Sequence, residues 1–107
     1  MKQYAVKITD CGLADMNAVF EYIAVQLHVP ETACRQYDRI AAAIESLRHL
    51  PERYPLMDVE PERELGMRRL PVDNYSVIYV VRDETVTVLR VLYSASDLVS
   101  RLRDGRQ

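Results

Sequence analysis

The 107-residue chain contains no long apolar run. A membrane-spanning helix needs about 20 predominantly apolar residues in succession, and the runs here fall far short of that. The opening residues, MKQYAVKITD, hold no apolar signal region, so a cytoplasmic location without membrane contact is the expectation. Histidine and cysteine are scarce: His28, His49, Cys11 and Cys34 are all there are. None stands at the paired spacing of a metal site, so neither metal nor cofactor is expected. Cys11 and Cys34 read as reduced thiols, because disulfides are rare in the cytoplasm. His28 and His49 read as structural or solvent-exposed. Internal repeats and low-complexity tracts are missing as well.

An overall basic excess is also missing. The formal net charge of −2 argues against a broadly basic nucleic-acid binder. The charge is uneven, however. Residues 1–62 carry six Lys/Arg and ten Asp/Glu, whereas residues 63–107 carry eight Arg, six Asp/Glu and no lysine. Arginine presents a planar fork suited to phosphate or carboxylate. The same bias also fits a solvated surface with no ligand.

What is present is ordinary globular material: 49% hydrophobic and 28% charged residues. The length predicts one domain over residues 1–107, built from two packed layers. Its organising stretch runs from Met67 to Asp97. There Val, Ile, Leu and Tyr dominate, broken by Asp73-Asn74 and Arg82-Asp83-Glu84. These residues predict strands Met67–Val72, Tyr75–Arg82 and Thr85–Tyr93 in an antiparallel meander.

The rest supplies a cover for that sheet. Alternation predicts a strand from Gln3 to Thr9. Thr9 or Asp10 can cap a helix from about Gly12 to Leu27, with a stripe of Leu13, Met16, Phe20, Ile23, Ala24 and Leu27. Pro30 opens a second helix to about Leu50, with Tyr37, Ile40, Ile44 and Leu47 on its apolar side, and Pro51 ends it. Tyr54, Leu56 and Met57 pin a Pro-rich loop across the sheet edge. Leu98, Val99 and Leu102 suggest a short C-terminal helix capped by Ser96 or Asp97, before a frayed tail from Arg103. The predicted class is α+β, in the order β-αα-βββ-α. The helical hairpin covers one face of the sheet, and the other stays partly open.

This order of elements, with RRLPVDNYSVIYVV and the closing VLRVLYSASDL, resembles the RelE/ParE superfamily of type II toxin–antitoxin toxins, a group that includes plasmid stabilisation proteins. The matching residues are Arg68-Arg69-Leu70-Pro71-Val72, Tyr75 to Tyr79, Arg90-Val91-Leu92-Tyr93 and Asp97. The resemblance spans nearly the whole chain. It implies a toxin that arrests growth unless bound by a cognate antitoxin. RelE-like members do so by metal-independent cleavage of mRNA on the ribosome. ParE-like members instead inhibit DNA gyrase without being nucleases. A catalytically degenerate binding module on the same fold is a further alternative.

Cleavage of this kind needs groups that take a proton, give one and stabilise phosphate charge. The resemblance offers Arg69, Arg68 and Tyr93 as catalytic residues. Alternation favours Arg69 for the open face, since Leu70 and Val72 share the side of Arg68. Each arginine reads equally well as a surface ion-pair partner. Tyr93 acts on a proton only if its ordinary pKa of about 10 is lowered or if it serves as an acid; otherwise it packs at the sheet end. Strict alternation puts Arg90 with Val88 and Leu92, as an edge or antitoxin-binding residue. A groove lined by Tyr37, Ile40 and Leu70 would suit an amphipathic antitoxin helix. Tyr75 and Tyr79 read as core. Ser76 stands where RelE-like members commonly carry a basic residue, and Ser94-Ala95-Ser96 where they commonly carry another arginine. Both departures weigh against RNA cleavage.

Overall fold

A computed structural model describes residues 2–95 and 98–104. Strands β1 (Ala5–Ile8), β2 (Arg68–Val72), β3 (Tyr75–Arg82) and β4 (Thr85–Tyr93) form one sheet in the order β1-β4-β3-β2. Two tight hairpins join β2 to β3 and β3 to β4. Asp73 and Asp83 open those turns with φ of 55° and 56°, a left-handed backbone that two-residue hairpins require and Asp tolerates. The first strand lies beside the last and parallel to it. The sheet is therefore mixed, and the helices between β1 and β2 make the crossover that parallel strands need.

Helix α1 (Asp10–Glu21) starts where Thr9 caps it: the Thr9 Oγ1 accepts from Gly12 N at 3.0 Å and donates to Leu89 O at 2.9 Å. The helix does not continue regularly to Leu27. It widens into a π turn over Tyr22–Gln26, and His28, at φ 57°, reverses the chain. That widening disrupts the end of the expected stripe and leaves Leu27 exposed; Leu13, in the regular first turn of α1, is exposed as well. Helix α2 (Pro30–Glu45) places Pro30 in its first turn, where the missing N–H costs nothing. It tightens into a 3-10 turn at Ser46–Arg48, short of Leu50.

Both faces of the sheet are packed. On the helix side, Met16, Ile40, Ile44 and Leu47 meet Leu70, Val77, Tyr79, Val86 and Val88. The other face is more covered than alternation implied. Met57, Met67, Ile78, Leu92 and Leu102 form a second core beneath helix α3 (Leu98–Asp104). The loop before β2 contributes directly: Leu56 bridges Arg68, and Met57 N donates to Met67 O at 2.8 Å. Arg103, expected in a frayed tail, is anchored instead. Its guanidinium donates to both carboxylate oxygens of fully buried Glu62, at 3.1 and 3.2 Å, and to Glu60 O. The expected cap at Ser96 or Asp97 lies outside the described residues.

A second correction concerns β4. Ile78 pairs with Arg90 but Tyr79 pairs with Val88, so Leu89 is an extra residue, a β-bulge. Alternation breaks there. Val88 joins the helix-side core with Val91, while Leu89 and Leu92 pack on the opposite face.

Tyr79 is fully buried, as the sequence indicated, and its hydroxyl donates to Pro51 O. Burial pushes its phenol up to about 12, against about 10 in an unfolded chain. The folded state thus holds this proton more tightly, and the contribution is complete below pH 10 and lost as pH rises toward 12. Below pH 10, Tyr79→Phe is expected to lose about 1–3 kcal/mol, because the buried Pro51 carbonyl loses its donor. The gap to wild type should narrow between about pH 10 and 12 in urea titrations. A gap that stays constant across that range would refute the assignment.

Candidate functional site

The hairpin end of the sheet gathers the polar residues that the sequence singled out. Arg69 leaves β2 on the face opposite the helical hairpin, as alternation favoured. Its Nε donates to Ser76 Oγ at 2.8 Å, and Ser76 Oγ lies 2.7 Å from Ser94 Oγ. Ser76 is fully buried and Arg69 exposed. Ser94 N is held in turn by Asn74 O at 2.8 Å. The result is an arginine steered by two hydroxyls, able to hold an oxyanion.

Tyr93 sits on the other side of the sheet. It pairs across the strands with Tyr75, ring to ring at 5.8 Å and nearly edge-on, and Tyr75 packs against the helix-side core. Tyr93 is 50% exposed. Burial, and then Tyr93 itself, raises the Tyr75 phenol above its ordinary value, which makes it a weaker acid and keeps it protonated near neutral pH. The structure therefore does not bring Arg69 and Tyr93 together.

Arg68 shares the helix-side face with Tyr79. Its Nη1 donates to Tyr54 O at 2.7 Å and Glu52 O at 3.2 Å, and its Nη2 lies 3.7 Å from the Glu52 carboxylate. These contacts latch the turn at Pro51–Arg53 onto β2. Arg90 is committed internally as well. Its Nε and Nη2 donate to the Asp15 carboxylate at 2.6 and 3.0 Å, and its Nη1 donates to Arg101 O at 3.2 Å. The two side chains are only 16% and 13% exposed.

The groove expected beside Tyr37 is not open. Ile40 and Leu70 are 1% and 3% exposed, deep in the core, and the half-buried Tyr37 ring meets Phe20 edge-on at 6.3 Å. An open groove of about 720 Å³ runs instead between the tip of the helical hairpin and the sheet end. Tyr22, Leu27 and Val29 line one wall, and Tyr75, Tyr93 and Arg101 the other. Sequence reasoning missed it because Leu27 had been assigned to the core stripe. Among the described residues, no cluster of three or more His, Cys, Asp or Glu could hold a metal ion, and no helix is long and apolar enough to cross a membrane.

Comparison with known proteins identifies this architecture. A family model described as the ParE toxin of the type II toxin–antitoxin system, parDE, matches residues 6–98. The chain belongs to the ParE toxin family. No curated protein matches its sequence. Solved structures show the same fold at low identity. The chain is similar to one from a chromosomal ParDE toxin–antitoxin system of P. aeruginosa, at 21% identity and a TM-score of 0.70, covering 85% of this chain and 96% of that one. It is also similar to one in the toxin–antitoxin complex RelBE2 of Mycobacterium tuberculosis, at 22% identity and a TM-score of 0.62, covering 90% and 97%. A third lies in the archaeal RelE–RelB complex of Pyrococcus horikoshii OT3, at 20% identity and a TM-score of 0.57, covering 87% and 97%.

In this toxin Arg90 acts as a clamp, and the energetics of that clamp are testable. Replacing one partner of a mostly buried ion pair strands the other, at a cost of about 3 kcal/mol or more. Arg90→Ala is expected to lower the urea midpoint accordingly. A loss below about 1 kcal/mol would return Arg90 to the class of surface arginines.

Proposed function

We propose that this toxin arrests growth by inhibiting DNA gyrase and does not cut RNA. The observation that supports this most is the separation of Arg69 and Tyr93 onto opposite faces of the sheet. Metal-independent RNA cleavage needs a proton acceptor and a proton donor within hydrogen-bond reach of the phosphate that an arginine holds. Among the described residues the Arg69 side chain bonds the Ser76 hydroxyl, which in turn meets that of Ser94, and neither hydroxyl exchanges a proton readily near neutral pH. The overall acidic balance agrees, because docking on ribosomal RNA rewards basic surfaces. Gyrase inhibition is what resemblance to ParE-like members implies, and it asks the toxin only to bind.

The same reading gives the toxin a cognate antitoxin and a cytoplasmic site of action. Toxin–antitoxin complexes among the structural relatives support the partner. The groove between Tyr22, Leu27 and Tyr93 is apolar enough to receive part of it.

Expression of the toxin alone, and together with the adjacent small gene, tests both statements. Growth arrest relieved by the neighbour is expected. During arrest, plasmid supercoiling should fail while mRNA stays intact, and purified toxin should block supercoiling by gyrase in vitro. Rapid mRNA loss on induction, abolished by Arg69→Ala, would overturn the reading in favour of ribosome-dependent cleavage.

A further inference from the structure

Arg69 differs from most arginines of this chain in being aimed but unspent. Arg39, Arg48, Arg68, Arg90 and Arg103 each lie against a carboxylate of the chain itself. Arg53 and Arg82 spend their guanidinium groups on backbone carbonyls. Arg69 commits only its Nε, which donates to Ser76 Oγ at 2.8 Å. Among the described residues no group bonds its Nη1 or Nη2. The exposed side chain therefore keeps the whole end of its fork. Arg101 is uncommitted too, but it lines the groove and has no buried hydroxyl to aim it.

The two serines add a third donor. Ser76 Oγ accepts from Arg69 and lies 2.7 Å from Ser94 Oγ. Ser76 is fully buried, and among the described residues the acceptor within reach of its hydrogen is Ser94 Oγ. Ser76 thus donates to Ser94, and the half-buried Ser94 turns its own hydrogen outward. Arg69 Nη1, Arg69 Nη2 and the Ser94 hydroxyl are then donors around one buried oxygen. Among the described residues no carboxylate is bonded to any of them. That pattern suits an oxyanion held by charge-assisted hydrogen bonds.

We propose that Arg69 and Ser94 grip a single carboxylate, that of an acidic side chain on the surface of gyrase. The proposal rests on the gyrase reading above and names the contact that this site makes in it. A nucleic-acid backbone is the rival source of an anion. It carries a phosphate on every nucleotide, and binding strength grows with the number neutralised. The arginines nearest in sequence or on the same face cannot serve that purpose. Arg68 points to the other face and is latched to Tyr54 O, and Arg103 is held by Glu62. The formal net charge of −2 disfavours a polyanion further. One free fork fits one isolated carboxylate. Pro71 stands exposed two residues along β2, on the side of Arg69, so an apolar neighbour beside the acidic group belongs there.

The full toxin and purified gyrase test this in two readouts: direct binding with no DNA present, and inhibition of supercoiling. Arg69→Ala should weaken both about tenfold at low salt, with the loss shrinking as salt rises. Arg69→Lys keeps the charge without the planar fork and should recover only part of that loss. Ser94→Ala should weaken both about threefold, as one hydrogen bond implies. The thermal midpoint of Arg69→Ala should stay near that of the wild type, because the side chain is exposed. If that variant fails to fold, Arg69→Lys and Ser94→Ala still decide. Variants that all bind and inhibit like the wild type overturn the carboxylate contact and leave the gyrase reading standing. A loss seen only when DNA is present overturns it in favour of a phosphate. Wild-type toxin that neither binds gyrase nor inhibits it overturns both.

Discussion

The Asp15 carboxylate holds three parts of this fold in register. It accepts from the Arg90 guanidinium twice and from Val91 N once, at 2.9 Å, so one side chain on α1 fixes the end of β4 beside it. Arg90 extends the reach by donating to Arg101 O on α3. Helix α1, the central strand pair and the cover of the second core are thereby joined through a site that water scarcely enters. An ion pair so placed contributes little net attraction over its desolvation, yet it forbids the arrangements in which either charge would be stranded. The bulge at Leu89 is the backbone counterpart of that constraint. It turns Arg90 toward Asp15 while Leu89 and Leu92 stay against α3.

From this frame follows the division of polar work at the hairpin end. Arg69, Ser76 and Ser94 are presented on the face shared with the second core. Tyr75 and Tyr93 are presented toward the helical hairpin and its groove. A sheet only one residue thick separates two chemistries that a nuclease would need to combine. Binding surfaces survive such a separation far better than catalytic sites do, because recognition adds contributions from separate patches, whereas proton transfer demands contact.

Much of this was legible in residue order. Alternation in β2 and β3 gave the strand bounds almost to the residue, because Leu70, Val72, Val77 and Tyr79 had to face one core and Asp73 and Asp83 had to turn. Thr9 and Pro30 announced their helices through capping chemistry. Two of the failures share a physical cause: each arose where one inserted residue reset a period. The π turn at Tyr22–Gln26 moved Leu27 from core to groove, and the bulge at Leu89 moved Arg90 away from the face of Val88. Arg103 was misjudged because its partner, Glu62, lies in a Pro-rich loop whose fold no local pattern reveals. Ile40 and Leu70 were placed correctly as apolar, but a pattern of apolar residues does not distinguish a groove wall from a core.

Ser76 carries a consequence for how this lineage can change. Its hydroxyl is fully enclosed and satisfied on both sides, by Arg69 and by Ser94. A lysine placed at that position would arrive in an occupied space and bring a charge that must be taken out of water. Accommodating it would require Ser94 and Arg69 to move as well, so the two hydroxyls and the guanidinium change together or not at all.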